Sequence, residues 1–237
     1  MKYALPVFII LTSWLSSCGL LCDIKGDGNM VTVERPLTGS FTAIRLDGDA
    51  HVFIMADTMQ RVVVFADDNI EERILTSVEN NTLVIRVDEN QTICNATMEV
   101  RVYTPAVIQL LQNTSSGKIK SSQTIIQSQL TLKNSGSGNI EISADLELLS
   151  IFNTGSGKVL AQGIAEKLDV TNTGSGETAC FDLVAQQADV LSTGSGPSKV
   201  NVMDTLNVTL TGSGNVYYKG SPVTNITDTG SGSVIQQ

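Results

Sequence analysis

The chain has 237 residues, of which 41% are hydrophobic and 16% are charged, and this composition excludes an intrinsically disordered protein. The formal net charge is -9 at pH 7. An acidic chain without a basic stripe repels phosphate backbones, which argues against nucleic acid as a partner.

The first 17 residues have the pattern of a secretory signal peptide, in which Lys2 precedes an apolar stretch over residues 3–15. That stretch is shorter than the roughly 20 apolar residues of a stable transmembrane helix. It ends in Leu15-Ser16-Ser17-Cys18, which resembles a bacterial lipobox. We therefore predict that Cys18 is lipidated, and that residues 18–25 tether the protein to a membrane. The alternative is an ordinary signal peptide followed by a chance cysteine.

Three further cysteines, Cys22, Cys94 and Cys180, would lie outside the cytoplasm, where disulfides form. They allow one internal bridge, and the sequence does not select the pair. Cys180 lies in an apolar run that is typical of a small buried residue, so Cys22 and Cys94 are the preferred partners.

Residues 23–112 are rich in strand patterns, which cover residues 41–46, 51–55, 61–65, 82–87 and 98–103. The segments 47–49 and 79–81 predict turns, and residues 69–75 have the pattern of one to two helical turns. No linker separates this part from the repeats that follow. We therefore predict that it forms the first, irregular coils and the cap of one domain over residues 26–237.

A Gly-Ser-Gly triplet recurs in the second half of the chain, which we read as repeats over residues 113–237. The triplets begin at residues 136, 155, 174, 194, 212 and 230, and a degenerate copy ends at Gly117. A phosphate-binding loop occurs once per site, and a flexible linker holds no period. A sustained period of 18–21 residues instead indicates a solenoid.

Short alternating apolar runs flank each triplet, which is typical of strands. Each repeat is thus predicted as a strand, a glycine corner, a second strand and a polar return such as residues 162–166. The predicted fold class is all-β, a right-handed parallel β-helix-like solenoid with an irregular N-terminal cap.

Stacked coils would place equivalent residues in columns about 4.8 Å apart. We attribute the corner glycines to backbone angles that a Cβ atom would penalise. Two glycine columns form this structural ladder: Gly136, Gly155, Gly174, Gly194, Gly212 and Gly230, and then Gly138, Gly157, Gly176, Gly196, Gly214 and Gly232.

Serine, threonine and asparagine form parallel columns beside the glycines; the asparagine column comprises Asn113, Asn134, Asn153 and Asn172. We interpret these columns as stacking devices, because binding sites usually break a repeat rather than obey it. The alternative is a regular hydroxyl array that is presented to a polysaccharide.

The order of motifs resembles the putative auto-transporter adhesin head GIN-domain family, which consists mainly of lipid-anchored or secreted proteins of Bacteroidetes-type bacteria. The resemblance rests on residues 26–29 (GDGN), 41–48 (FTAIRLDG), 81–85 (NTLVI) and 100–105 (VRVYTP), followed by the serial triplets. It covers about residues 26–235. It implies a β-helical fold and an adhesin-type role, and it defines no functional residue.

Catalytic and metal chemistry have little support in the sequence. His51 is the only histidine and lies in a strand pattern, which excludes histidine-rich metal sites. The segments 47–49 and 67–69 could offer oxygen ligands to calcium, but both are typical of turns. The acidic residues of the repeats scatter over different register positions, so no paired carboxylates are expected. We therefore predict no catalytic residue, no metal and no cofactor.

Two Asp-Thr-apolar triplets resemble the O-glycosylation acceptor of Bacteroidetes envelope proteins. They make Thr58 and Thr205 candidate glycosylation sites.

The sequence thus favours a lipid-anchored outer-membrane protein, periplasmic or surface-facing, that acts as a binding module or adhesin toward a glycan, an envelope protein or a host protein. The alternatives are a periplasmic structural or assembly protein without a ligand and, less favoured, a polysaccharide-processing enzyme. An exposed C-terminal edge suggests a homo-oligomer formed end to end.

Overall fold

The structure, a computed structural model, describes residues 22–88, 90–105 and 107–237. Within these residues the only helix is the single turn α1 (Asp68–Glu71), and no helix is long and apolar enough to cross a bilayer. The signal peptide and Cys18 lie outside the described residues. The strands are β1 (Ile24–Lys25), β2 (Met30–Arg35), β3 (Ala43–Asp47), β4 (His51–Ala56), β5 (Arg61–Asp67), β6 (Ile74–Glu79), β7 (Thr82–Val87), β8 (Ile93–Cys94), β9 (Met98–Thr104), β10 (Leu110–Asn113), β11 (Lys118–Asn134), β12 (Asn139–Asn153), β13 (Val159–Asn172), β14 (Thr178–Ser192), β15 (Ser198–Leu210), β16 (Val216–Lys219), β17 (Val223–Asp228) and β18 (Val234–Gln236).

The repeats form a parallel β-solenoid of about seven turns. Strands β11 to β15 each pair in parallel with the next strand along the chain. Asn113, Asn134, Asn153, Asn172 and Ser192 are successive register partners, so these coils span 21, 19, 19 and 20 residues. The predicted fold class and repeat length are confirmed.

Each long strand bends in the middle and so forms two sides of its coil. The polar return predicted at 162–166 is wrong as a separate segment, since it lies within β13. Irregularities of register, such as those between Lys120 and Thr124 and between Cys180 and Val184, mark the bend. We call the side before each glycine corner the first face (β10, the C-terminal halves of β11 to β15, and β17). The side after it is the second face (the N-terminal halves of β11 to β15, then β16 and β18).

At the N-terminal end the spatial order of the coils differs from their order in the chain. Strand β3 lies between β7 and β10, and β4 lies between β9 and β11. The coil made by β7 and β9 therefore stacks outside the coil that β3 and β4 form earlier in the chain. Antiparallel strands β2, β5 and β6 complete this end and form the irregular cap.

The helix predicted over residues 69–75 is wrong in extent, and strand β6 was not predicted. Helix α1 ends at Glu71, whereas Ile74 and Leu75 begin β6. A helix of one or two turns is marginal by itself. The hairpin between β6 and β7, which turns through Asn80 and Asn81 at φ angles of 49° and 60°, pairs these residues instead.

The core is a set of aligned aliphatic columns inside the coils. Ile151, Val170, Val190 and Val208 are successive register partners, and each is at most 3% exposed. Branched side chains stacked at strand spacing fill the narrow interior without large aromatic rings. The scarcity of aromatic residues is therefore compatible with a closed core.

The corner glycines are required by close stacking, and the predicted reason, backbone angles that a Cβ atom would penalise, is wrong. Among the described glycines, positive φ angles occur at Gly28, Gly163 and Gly220, and not at the corners. A Cβ atom on Gly174 would collide with the carbonyl oxygen of Gly155, one coil away. The other corner glycines meet the backbone of the preceding coil in the same way.

The asparagine column lies inside the solenoid, beneath the corners. Asn113, Asn153 and Asn172 are all 0% exposed. Their Nδ2 atoms donate hydrogen bonds to the carbonyl of the second corner glycine four residues later, at 2.7, 3.1 and 3.0 Å respectively. Buried amides that satisfy backbone carbonyls hold each corner against its coil. The column is therefore a structural device, as its regularity in the sequence indicated.

We predict that Gly174→Ala lowers the free energy of unfolding by about 1–3 kcal/mol, because the added methyl group forces two stacked backbones apart. Ser175→Ala at the exposed middle of the same corner should change it by no more than about 0.5 kcal/mol. Urea unfolding of both variants measures the difference. Equal stabilities would contradict the close-stacking explanation.

Candidate functional site

The acidic and histidine side chains singled out in the sequence do not gather into a reactive site. His51 is exposed on β4, with Glu99 and Lys118 as its register partners. In the described ranges, no group of three or more His, Cys, Asp or Glu side chains could hold a metal ion. The carboxylate of Asp67 accepts backbone hydrogen bonds from Gly28 and Thr97 at 2.6 Å. The Asp67 carboxylate therefore holds two backbone segments together and is not free to bind a ligand.

The hydrogen bond from Gly28 to Asp67 is one of several contacts that fix residues 22–29 to the capped end. The structure joins Cys22 to Cys94, with Cα atoms 5.8 Å apart. Asp23 accepts a hydrogen bond from the backbone N–H of Thr92 at 2.8 Å. Asn69 binds this segment from the other side, through the N–H of Asp27 and the carbonyl of Lys25. The part of the predicted tether from Cys22 onward is therefore bound to the fold.

Cys180 is a free, buried cysteine, as the sequence favoured. Burial raises the pKa of its thiol to about 12, so it stays protonated at neutral pH. A protonated, enclosed thiol has no nucleophilic role here.

The two candidate glycosylation sites differ in accessibility. Thr58 is exposed in the turn between β4 and β5, beside Asp57. Thr205 is half-buried within β15, where Gln187 and Val223 are its register partners on the two neighbouring strands. A modifying enzyme could reach the turn far more easily than the strand.

The corners form a regular, exposed ridge along the solenoid. The middle serines of the triplets are exposed in every repeat: Ser137, Ser156, Ser175, Ser195, Ser213 and Ser231. Backbone hydrogen bonds tie the corners together, for example from the N–H groups of Ser195 and Gly196 to the carbonyl of Gly174, both at 3.1 Å. The ridge therefore presents the same Gly-Ser-Gly unit in each of these six repeats.

The second face carries ion pairs that cross from coil to coil. Lys118 bonds Glu141 at 2.6 Å, and Glu177 bonds Lys158 at 3.0 Å and Lys199 at 2.6 Å. Partial burial would raise the pKa of Glu177, but hydrogen bonds from Lys199 and Lys158 outweigh it and lower that pKa. The lysines and glutamates pair with one another, so the second face presents charges of both signs to solvent.

The first face breaks the repeat. Its outward residues form two rows, defined by register. The row next to the corner, the corner row, contains Lys133, Phe152, Thr171, Leu191, Thr209 and Thr227. The row beside it, the middle row, contains Thr131, Ser150, Asp169, Asp189, Asn207 and Asn225.

A slot lies on this face where a small residue separates two large apolar ones. Phe152 and Leu191 are each 39% exposed, and Thr171 lies between them in the corner row. The slot is a shallow depression of about 440 Å³ that Lys167, Asp169, Asp189 and Asn207 also line.

Four polar side chains line one side of the slot, which we call the polar wall: Lys167, Asp169, Asp189 and Asn207. Hydrogen bonds and ion pairs hold them in one arrangement. Lys167 Nζ lies 2.8 Å from Asp189 and 3.1 Å from Asp169. Asn207 donates to Asp189 at 2.6 Å and accepts from Asn225 at 2.9 Å. Lys167 and Asn207 hold the pKa of Asp189 below its usual value, and Asp189 and Asp169 raise the pKa of Lys167. The formal charges of this wall are two negative and one positive.

The statement that the acidic residues scatter over the register is therefore wrong for one pair. Asp169 and Asp189 are direct register partners, 20 residues apart. The local coil is one residue longer than the two before it. The spacing of the neighbouring triplets, from Gly174 to Gly194, is also 20 residues and could have revealed the pair.

The far end of the solenoid mixes polar and apolar side chains. Thr224, Asp228 and Gln236 occupy columns that Leu206, Leu210 and Tyr218 fill one coil earlier. On the same coil, Val223 and Ile226 are 69% and 45% exposed. Self-association through this edge stays a prediction, although the polar column ends suit contact with water.

Comparison with known proteins places the fold in a known group. A family model described as "Putative auto-transporter adhesin, head GIN domain" matches residues 40–222. A crystal structure from Bacteroides fragilis, described as a putative adhesin, superposes with a TM-score of 0.84 at 21% identity, over 90% of this chain and 100% of that one. None of the curated proteins compared with the chain matches it significantly.

Two structures from Parabacteroides share the fold. One, from Parabacteroides distasonis, is described as a putative lipid binding protein and has a TM-score of 0.72 at 24% identity, over 90% of this chain and 99% of that one. The other, from Parabacteroides merdae, is described as a putative adhesin and has a TM-score of 0.68 at 20% identity, over 91% of this chain and 100% of that one. At these identities the likeness shows the fold alone.

We predict that a form lacking residues 1–18 titrates with no reactive thiol when native and with one when denatured without reductant. The single thiol is Cys180, which is 0% exposed in the native fold. Thiol counting with a chromogenic disulfide reagent, before and after reduction, tests the pairing. Three thiols in the denatured, unreduced protein would exclude a bridge between Cys22 and Cys94.

We propose that any O-glycan is carried by Thr58 and not by Thr205. Thr58→Ala should then remove all hexose-type mass increments from the mature protein, whereas Thr205→Ala should leave them in place. Intact-mass spectrometry of the protein from its native host compares the two variants. An unmodified wild-type protein, or loss of the increment in Thr205→Ala alone, would refute the assignment.

Proposed function

Because the chain belongs to the "putative auto-transporter adhesin, head GIN domain" family, we propose that it is a non-enzymatic, adhesin-type binding module of the cell envelope. The observation that carries this proposal is the interruption of the repeat on the first face. Stacking accounts for the interior columns, the corners and the ion-paired second face, whereas on the first face Phe152 and Leu191 are exposed apolar side chains beside the stacked pair Asp169 and Asp189. Residues that stacking does not require are available for binding.

A catalytic role for the paired aspartates is disfavoured by their environment. Cleavage of a glycosidic bond by two carboxyl groups needs one of them protonated at working pH, through a raised pKa. Hydrogen bonds from Lys167 and Asn207 lower the pKa of Asp189 instead. The arrangement suits the binding of hydroxyl groups, and Asp189 does not supply a general acid.

The protein is proposed to be lipid-anchored through Cys18 in the outer membrane. Since Cys22 is bonded to the capped end, a lipid on Cys18 would be four residue steps from the described fold. Four residue steps reach at most about 14 Å. The capped end would therefore lie next to the membrane, and the end formed by β17 and β18 would point away from it.

The second candidate is a periplasmic structural or assembly protein with the same anchor and no ligand. The two roles require opposite locations. An adhesin must face the outside of the cell, whereas a periplasmic spacer is shielded by the outer membrane.

We predict that wild-type protein incorporates a metabolically supplied fatty acid and fractionates with membranes, and that Cys18→Ala abolishes both. The physical reason is that an acyl chain supplies the only anchor proposed here. Cys22→Ala is the matched control, because it removes a neighbouring cysteine and should leave lipid incorporation unchanged. Labelling that persists in Cys18→Ala would contradict the anchor.

Surface exposure is tested by proteinase treatment of intact cells, with lysed cells as the control. The adhesin role predicts digestion in both samples. Protection on intact cells, together with digestion after lysis, would refute adhesion and support the periplasmic role.

A further inference from the structure

We infer that the slot between Phe152 and Leu191 binds one ring of an extended, uncharged glycan that lies along the first face. The inference rests on the binding role proposed above and names the ligand class and the residues that recognise it. It concerns the face where the repeat is broken, and not the regular serine ridge at the corners.

The shape of the slot matches one sugar ring. Phe152 and Leu191 lie two coils apart, which separates their backbones by roughly 10 Å. Thr171 forms the floor between them and is half-buried. A pyranose ring presents a flat face of C–H groups, which packs well against an exposed aromatic ring.

The polar wall supplies partners for the hydroxyl groups at the rim of such a ring. An ionised carboxylate has about four acceptor positions. Asp189 uses one oxygen for Lys167 and the other for Asn207, so each retains acceptor capacity. Because these side chains are already held by one another, little conformational entropy is lost when a ligand binds.

The charge of the slot selects among glycans. On the polar wall Asp169 and Asp189 outnumber Lys167 by one negative charge, and on the apolar side Lys133 Nζ lies 5.8 Å from the centre of the Phe152 ring. The chain as a whole also has a formal net charge of -9. Carboxylated and sulfated polysaccharides are therefore repelled, and an uncharged chain is favoured.

The middle row favours an extended glycan over a single sugar as the ligand. The middle row presents a hydroxyl, carboxylate or amide group in six successive coils, from Thr131 to Asn225. A ligand that runs along the solenoid would meet a hydrogen-bonding group about every 4.8 Å. A protein partner would bury a larger patch and would not depend on the slot alone, so it is an alternative outcome of the test.

The test compares two bulky substitutions in the same row. Thr171→Phe fills the floor of the slot and removes none of the polar groups. Thr227→Phe adds the same side chain to the corner row three coils away, in an exposed strand. Both positions point outward, and matching urea unfolding midpoints would verify that both variants fold.

The probes are linear hexasaccharides of glucose, mannose and N-acetylglucosamine, titrated against the full-length mature protein and followed by ligand-observed NMR. We expect one of them to bind wild type and Thr227→Phe alike, and to bind Thr171→Phe at least tenfold more weakly. Phe152→Ala should also weaken binding about tenfold, through loss of the aromatic contact. Tyr217→Ala, which removes an aromatic ring from the second face, should have no effect.

Failure of this inference can be told apart from failure of the proposed function. Hexasaccharide binding that survives Thr171→Phe would overturn the slot and leave a binding module. Absence of hexasaccharide binding, with adhesion of expressing cells to immobilised proteins, would overturn the ligand class alone. Absence of both would overturn the inference and the adhesin role together.

Discussion

The structure depends on the close approach of backbones at the glycine corners. Coils stacked at strand spacing leave no room for a Cβ atom there, since it would occupy the position of the preceding coil's carbonyl oxygen. Glycine at Gly155, Gly174 and Gly194 allows the backbone hydrogen bonds to continue through each corner. The buried asparagine column then satisfies corner carbonyls from inside. Periodic sequence, parallel register and closed core all follow from this contact.

The same constraint separates positions that serve the fold from positions that are free to vary. Inward residues are held to small branched side chains, and corner residues to Gly, Ser and Thr. The second face neutralises its charges in pairs that cross between coils, such as Lys158 with Glu177. On the first face, Phe152 meets no such requirement, and Asp169 and Asp189 share a single cation, Lys167. A binding role for that face agrees with the adhesin-type family to which the chain belongs.

Much of the fold could be predicted from the sequence, because the triplet spacing reports the coil length directly. The asparagine column, from Asn113 to Asn172, was predicted with its register. The strand order of the cap could not be predicted in this way. Strand β2 pairs antiparallel with β5, and strands β7 and β9 stack outside β3 and β4. These pairings join segments that are distant in the chain and leave no periodic pattern in the sequence. The slot was missed because the acidic residues were not aligned on the triplets, although the 20-residue spacing from Gly174 to Gly194 equals that from Asp169 to Asp189. Exposure of Phe152 also cannot be read from a pattern of alternation alone.

The most direct test of the account is the removal of one whole coil, residues 139–157. The deletion joins Gly138 to Lys158 and lets Val159 take the place of its register partner Ile140. The measurement is cooperative urea unfolding followed by far-UV circular dichroism, with deletion of residues 139–148 as the out-of-register control. The account predicts that the whole-coil deletion folds cooperatively with native-like β-structure and that the control does not. Equal loss of structure in both deletions would contradict stacking of interchangeable coils as the basis of the fold.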